Sequence, residues 1–453
     1  MSDTATQGKT VLLIGGVDAH LERYAALGVK VVLIQHPDKV TAYQTRAADV
    51  LLVVDYTDWD TVRPFAEAAH AVYRVDAVVS LTEPGLNPAS RLGDLFGLTD
   101  GRRYEVSRRM RDKWLMRRHL HERGLPAPHA GLVADRASLA EFGERAGYPF
   151  IVKPLSTTAG FGLIRAEDPA DLDRVWARVR ELDGGRTDRG STMFTVDGFL
   201  MESYIDGPEF SVEALSFAGR HVVVAVTEKL TSEEHFAELG HAVPARVSEA
   251  DRARLVGAVE EFLTAMEVTD GPSHTEIRLS SRGPMVIESH NRLGGDHIVE
   301  LVQAAYGVDM IAYGAAWPLG LTEPPAAAPA PLAAAAMRAV LREPGTVTAV
   351  EGVEAVRARP DVLLAQVSVR PGDTVRPLRD NWDRIGNVVV TAADTDAAVE
   401  LAERLGREDI RVEVEPAAAA VVDGGVPGPG SAPVAASVSS AVPSAGRAPV
   451  RVG

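Results

Sequence analysis

Two stretches, HTEIR at 274–278 and MVIESHNRLGG at 285–295, constrain this chain more than any other feature. Each carries a glutamate on an apolar run that reads as a strand, and Arg282 and Gly283 sit between them as turn residues. The pair is therefore expected to fold as an antiparallel hairpin, with Glu276 and Glu288 on adjacent strands and His290, Asn291 and Arg292 following at once. Carboxylates are hard oxygen ligands for magnesium, and an arginine grips phosphate or carboxylate as a bidentate fork. That combination points to a metal-bound polyphosphate more than to ordinary surface charge, which is mostly solvated.

The length of 453 residues leaves room for roughly two to four domains with sizeable cores. A net charge of -16 argues against nonspecific nucleic-acid binding, which needs a basic face. No apolar run reaches the roughly eighteen residues of a membrane span, and MSDTATQGKT at the start has no apolar signal core. With no cysteine either, the expected location is cytoplasmic. Only six lysines occur, at 9, 30, 39, 113, 153 and 229, so arginine is the habitual cation. Lys153, inside the apolar run PFIVKP, then reads as a point charge placed for a purpose.

Apolar runs at 11–16, 29–34, 49–55 and 75–83 alternate with helix-compatible stretches, the pattern of a parallel α/β sheet. No GxGxxG accompanies the first of them, which leaves a dinucleotide site there poorly supported. The spacing of Val106, Met110 and Trp114 predicts one helix over 103–123, with Lys113 beside its apolar stripe. On position alone Lys113 is equally well a surface lysine with a buried stem. The strand holding Lys153 runs into a turn of Ser156, Thr157, Thr158, Gly160 and Gly162, whose small residues let backbone N–H groups approach phosphate oxygens. FLMESYIDGPEFSVEAL at 199–215 reads as strand, turn, strand, with Glu202 at the end of the first and Glu209 at the start of the second. A loop with Glu238, His241 and Pro244 is expected next, then a helix near 248–266. Past Pro318 a linker leads to about eighty residues of mixed strand and helix, and from Pro416 the chain is Ala, Gly, Pro, Ser and Val with almost no charge, the composition of a disordered tail.

Taken in order, Lys113, Lys153 with its Gly-rich hairpin, MESYIDGPEFSVE, HTEIR and VIESHNRLGG resemble the ATP-grasp superfamily of carboxylate–amine ligases, over roughly residues 10–325. Within it, FAELGHAVPA at 236–245, RLGGD at 292–296 and the module after 330 are similar to the L-amino acid ligase branch, whose members join unprotected amino acids into dipeptides. The resemblance implies an α/β ATP-grasp fold. Its parts would be a Rossmann-like parallel-sheet domain at 1–100, a helix and small ATP-binding lid at 101–205, a central antiparallel catalytic subdomain at 206–325, a small α+β module at 330–415 and the tail at 416–453. It also implies ATP with magnesium, or manganese in its place, small-molecule carboxylate and amine substrates of the amino-acid class, and room for a homodimer, without nucleic acid or membrane partners.

By the same resemblance Lys113 and Lys153 contact the phosphates, Ser156, Thr157, Gly160 and Gly162 fold over them, Glu202 and the backbone to Ile205 hold adenine, and Glu209 holds ribose. Glu276 and Glu288 hold the metal, Arg292 the reacting carboxylate and acyl-phosphate, and Glu238 and His241 face the amino-acid substrates. The commoner pattern is Glu-x-Asn-x-Arg, whereas here His290 stands in the Asn slot and Asn291 one place later, so the third metal ligand is His290 or Asn291. His241 has the equal alternative of a loop imidazole bonded to backbone, and Asp296 is either a substrate-facing carboxylate or the cap of the helix read in HIVELVQAAYG. Activation as an acyl-phosphate with release of ADP and phosphate is the expected chemistry. Another ATP-grasp ligase or carboxylase acting on a metabolite acid is an alternative, as is a non-catalytic nucleotide-binding regulator, although intact Lys153, Glu276, Glu288 and Arg292 count against the latter.

Overall fold

The computed structural model of the chain describes residues 8–157, 160–185, 195–232 and 235–416. Thr158 of the Gly-rich turn and the tail beyond Pro416 lie outside the described residues. The N-terminal apolar runs become four parallel strands, β1 (Thr10–Ile14), β2 (Lys30–Gln35), β3 (Val50–Val53) and β4 (Ala77–Val79), in the order β3-β2-β1-β4. All of β1 and most of β2 are buried, as strands covered by helices on both faces must be. β4 stops at Val79, short of the run expected to reach residue 83, and a 3-10 turn follows at Glu83–Gly85. Only glycine fits at 85, because a Cβ there would stand 2.5 Å from the Ile14 carbonyl oxygen. The tight turn leaves Glu83 buried past the carboxyl end of a parallel strand, the usual place for ligand-facing groups in such sheets.

The stretch expected as one helix over 103–123 is two, Arg103–Arg111 and Lys113–Glu122. Asp112 between them is extended, and its side chain accepts from the Trp114 and Leu115 N–H groups, so a cap interrupts what the apolar spacing alone read as continuous. A small antiparallel sheet follows, made of β5 (Ala130–Leu132), β6 (Phe150–Pro154), β7 (Ile164–Ala166) and β8 (Phe199–Ser203) in the order β5-β8-β6-β7. Leu139 and Phe142 from one helix and Val175 and Val179 from another pack on it with Phe150 and Phe199.

From β8 the chain crosses to a second sheet through Gly207, whose φ of 83° is left-handed and whose Cβ would meet the Leu279 oxygen at 2.2 Å. That sheet begins with β9 (Glu209–Phe217), β10 (Arg220–Thr231), β11 (Glu238–Val243), β12 (Gly271–Ser280) and β13 (Gly283–His290). The expected loop around Glu238 and His241 is thus a strand: β11 has antiparallel partners on both sides, which satisfy the backbone of an otherwise polar sequence. The C-terminal residues supply β14 (Ala334–Val340), β15 (Gly345–Glu351), β16 (Val362–Val367), β17 (Thr374–Val375), β18 (Gly386–Ala392) and β19 (Arg411–Pro416). Three of these extend the second sheet to eight strands, β13-β12-β9-β10-β11-β14-β18-β16, and the other three form β17-β15-β19. The residues at 330–415 therefore share a sheet with the central strands. Helix Glu249–Ala265 covers one face, packing Leu255, Val259 and Phe262 against Ile277 and Val286. Among the described residues no helix is long and apolar enough to cross a membrane.

His20, on the first helix, is buried, and its Nδ1 accepts from the Val17 N–H at 3.4 Å. Burial, and then the Arg23 charge, lower its pKa from 6.5 to about 4. The neutral ring's contribution to stability is complete above pH 6.5 and is lost as pH falls through about 4, because only the unfolded chain takes up the proton in that window. Unfolding free energy should fall by about 3 kcal/mol from this group alone across the window. Urea titrations from pH 7 to pH 4 should show a shallower acid decline for His20→Gln than for the native chain, and equal slopes would exclude the effect.

Candidate active site

The glutamate hairpin forms as β12 and β13, with Glu276 directly opposite Glu288. A bulge in β13 just beyond that pair puts Ile277 opposite Val286. The extra residue lets the apolar pair face the helix while both carboxylates face the opposite side, where they meet lysines. Glu276 pairs with Lys229 at 2.7 Å and Glu288 with Lys113 at 2.8 Å. Burial alone would raise both carboxyls; the lysines, with His274 beside Glu276 and His290 beside Glu288, hold them below the usual carboxylate range.

Lys113 begins its helix buried rather than at the surface, and its Nζ also donates to the Thr157 carbonyl at 3.1 Å. The first residues of the Gly-rich turn are tied to the metal-ligand candidates in this way. Gly160 and Gly162 on its return both have positive φ. Lys153 on β6 pairs with Glu202 on β8, and Arg117, fully buried, holds the other oxygen of Glu202 at 3.1 Å. Burial lowers the Lys153 pKa, opposed by the Glu202 charge.

Glu83 reaches the same place from the N-terminal domain. One oxygen accepts from Arg292 Nε at 2.7 Å with His290 Nδ1 3.0 Å away, and the other accepts from Arg111 Nε at 2.7 Å. Burial would raise the Glu83 carboxyl, but these three partners hold it well below the ordinary range. His290 Nε2 lies 3.2 Å from Glu288, so His290 shares the glutamate side of the hairpin. Asn291 turns to the other side, lining a separate cleft with Arg103, Thr269 and Asp270, its buried Oδ1 without a hydrogen-bond partner among the described residues.

Lys229 is the centre of a second group. Its buried Nζ contacts Glu209 at 2.9 Å and Glu238 and Glu276 at 2.7 Å each, and although burial would lower its pKa, the three charges hold it well above the usual value. Glu209 also takes Arg278 at 3.1 Å, and Arg278 donates to the Ile205 carbonyl at 2.7 Å. Beyond Glu238, His241 Nε2 meets Asp296 at 2.9 Å, and Arg384 binds both oxygens of Asp296 at 2.6 and 2.8 Å. Burial would raise Asp296, and His241 and Arg384 hold it below the usual range. Asp296 does not cap the following helix: His297 is the N-cap residue, without a side-chain cap bond. His241 is completely buried and bonded to a carboxylate rather than to backbone. Asn381 exchanges two hydrogen bonds with Glu238, accepting from its N–H at 2.7 Å and donating to its carboxylate at 2.6 Å. Next to it, Trp382 packs on Phe161 of the Gly-rich turn, ring centroids 5.7 Å apart.

The structure thus brings Lys113, Lys153, Glu202, Glu288, His290 and Arg292 into one charged group and Glu209, Glu238, His241 and Glu276 into its neighbour, while Ile205 contributes a carbonyl and Asn291 stands apart. Reasoning from sequence passed over Glu83, Arg117, Lys229, Asn381 and Arg384. The scarcity of lysine was a usable signal for Lys229, and the carboxyl end of a parallel strand for Glu83. Asn381 and Arg384 lie more than eighty residues beyond the groups they hold, and no local pattern marks them.

Three family models match in succession: the ATP-grasp N-terminal domain over residues 21–98, the ATP-grasp domain over 146–300, and L-amino acid ligase C-terminal domain 2 over 338–415. The chain is 28% identical to the uncharacterized protein y4rH of Sinorhizobium fredii over 65% of its own length and 59% of that protein. It is 23% identical to the L-arginine-specific L-amino acid ligase of Bacillus subtilis over 59% of its length and 63% of that enzyme, so the match spans less than two thirds of either relative. The crystal structure of an L-amino acid ligase from Bacillus licheniformis superposes with a TM-score of 0.74 at 21% identity, covering 90% of this chain and 99% of that one. With the parallel N-terminal sheet, the small antiparallel sheet and the carboxylate-bearing large sheet in this order, the chain is an ATP-grasp protein of the L-amino acid ligase-like kind.

Proposed function

We propose that this protein is an ATP-dependent ligase that joins the carboxylate of an amino acid to an amine, releasing ADP and phosphate. The observation that carries the reading is the in-register pair Glu276 and Glu288, each paired with a buried lysine, with Lys153 and Arg292 in the charged group of Glu288. Two half-buried carboxylates facing one side of a hairpin, each paired with a cation, are a donor set that fits a divalent ion. Magnesium, or manganese in its place, would be held by Glu276 and Glu288 with His290 beside them, and when bound supplies charge neutralisation for the triphosphate.

The chain's own residues do the rest. Lys113 and Lys153 neutralise phosphate oxygens, and the turn from Ser156 and Thr157 to Gly160 and Gly162 offers backbone N–H groups to them. Adenine lies along the backbone from Glu202 to Ile205 and ribose at Glu209. Arg292, steadied by Glu83, orients the substrate carboxylate, whose oxygen attacks the γ-phosphorus as the bond to the ADP oxygen breaks. Arg292 then faces the acyl-phosphate. The amine nitrogen attacks the carbonyl carbon, phosphate departs with its bonding electrons, and the amine proton passes to Glu238 or His241. Asn381 and Arg384 fix the side chains of Glu238 and Asp296, so the C-terminal module shapes the amine side of the site.

Three outcomes are expected. Incubation with ATP, magnesium and amino acids, singly and in pairs, should release ADP and phosphate with an amide product visible by mass spectrometry; AMP and pyrophosphate would rule the reading out. Glu288→Gln should slow turnover about a thousandfold, equivalent to about 4 kcal/mol of transition-state stabilisation, and a variant within a few-fold of native at equal magnesium would put the metal elsewhere. Arg384→Ala, which frees Asp296, should raise KM for the amine about tenfold while acyl-phosphate trapping by hydroxylamine persists. Equal loss of trapping and amide formation would contradict a role confined to the amine side.

A further inference from the structure

A cleft of about 270 Å³ opens between the N-terminal domain and the Gly-rich turn, lined by Trp59, Asn87, Arg91, Tyr104, Arg111 and Ser156 among others. Its position follows from what it shares with the site. Arg111 is the residue that holds Glu83 opposite Arg292, and Ser156 precedes Thr157, whose carbonyl takes Lys113. Glu83 thus joins Arg111 of the cleft to Arg292, and a carboxylate held at Arg292 is one ion-pair link away from the cleft.

The charge of the cleft is unusual for this chain. The protein as a whole carries 63 acidic against 47 basic residues, yet among the described residues no aspartate or glutamate lines the cleft. Two guanidinium groups do. Arg111 is paired with Glu83, which it shares with Arg292, whereas Arg91 is paired with no carboxylate among the described residues. Arg91 stacks on Trp59, 3.7 Å from the ring centroid, with Tyr104 at 5.5 Å. Stacking engages the flat face of the guanidinium and leaves its N–H edge for a ligand, already oriented and partly desolvated. Asn87 accepts from Ser107 at 2.9 Å through its Oδ1, which directs its amide N–H groups elsewhere. The cleft is rich in donors and poor in acceptors.

Resting on the ligase reading above, we propose that this cleft receives the side chain of the carboxylate substrate and selects one bearing a second anionic group, with Arg91 as its receptor. A neutral isostere fills the same volume but leaves the Arg91 charge without a counter-ion, and a cationic side chain is repelled. The preferred donor is an acidic amino acid or a similar dianionic acid.

Hydroxylamine as the acceptor removes the amine side from the test, since hydroxamate reports activation alone. Glutamate and aspartate are compared with glutamine and asparagine as donors, and the same four are titrated calorimetrically onto the protein with magnesium and a non-hydrolysable ATP analogue. The native chain should favour the acids at least about tenfold in kcat/KM and in affinity. Arg91→Met, which keeps the stem on Trp59, should reduce that ratio to about twofold or less, and Arg91→Lys, which keeps a charge without the fork, should fall between. Equal use of acids and amides by the native chain, or an undiminished preference in a folded Arg91→Met, overturns the proposal. Hydroxamate from apolar or cationic donors only would leave the ligase reading standing and remove this subsite. Absence of hydroxamate and of ADP with every acid would overturn the ligase reading and this one with it.

Discussion

The pairing of buried lysines with buried and half-buried carboxylates is what the site and the junction around it depend on. Lys113, Lys153 and Lys229 are each at most 7% exposed, and between them they engage Glu202, Glu209, Glu238, Glu276 and Glu288. A charge removed from water is tolerated only when its partner is close, and removing one member of such a pair typically costs about 3–5 kcal/mol. The pairs also join elements from different parts of the fold. Lys153 and Glu202 link two strands of the small sheet, Lys113 links a helix to β13, and Lys229 joins β10 to β9, β11 and β12.

Such a network is costly as a way to gain stability, since apolar side chains of equal volume usually do as well. It makes sense as a receptor for charge. A site that takes a polyphosphate and a divalent ion, as proposed above, must hold both signs, and side chains paired with one another keep both desolvated and oriented before the ligand arrives.

The C-terminal module takes part in this arrangement. Because β14 pairs with β11, the segment bearing Asn381, Trp382 and Arg384 is placed over Glu238 and Asp296 and against Phe161. One short stretch thus touches the group around Glu238 and Asp296 and also the Gly-rich turn. A change of module on an otherwise similar core would alter the carboxylates' orientation without altering their identity.

Much of the fold was legible in local pattern. The parallel strands announced themselves as apolar runs, and the glutamate hairpin as apolar runs on either side of the turn residues Arg282 and Gly283, because side-chain pattern and turn chemistry are properties of neighbouring residues. Local pattern failed where a polar segment was made a strand by its neighbours, as β11 was, and where one cap broke a helix, as Asp112 did. By itself the sequence determined which residues carry charge and which stretches must be buried. Only the tertiary structure decided which charges meet: that Lys229 serves three carboxylates, that Glu83 comes to Arg292 across 209 positions, and that His290 rather than Asn291 lies beside Glu288. Coulombic partnership depends on distance in space, and distance in space between such residues is set by sheet order, register and a single bulge, none of which is written in any short stretch of chain.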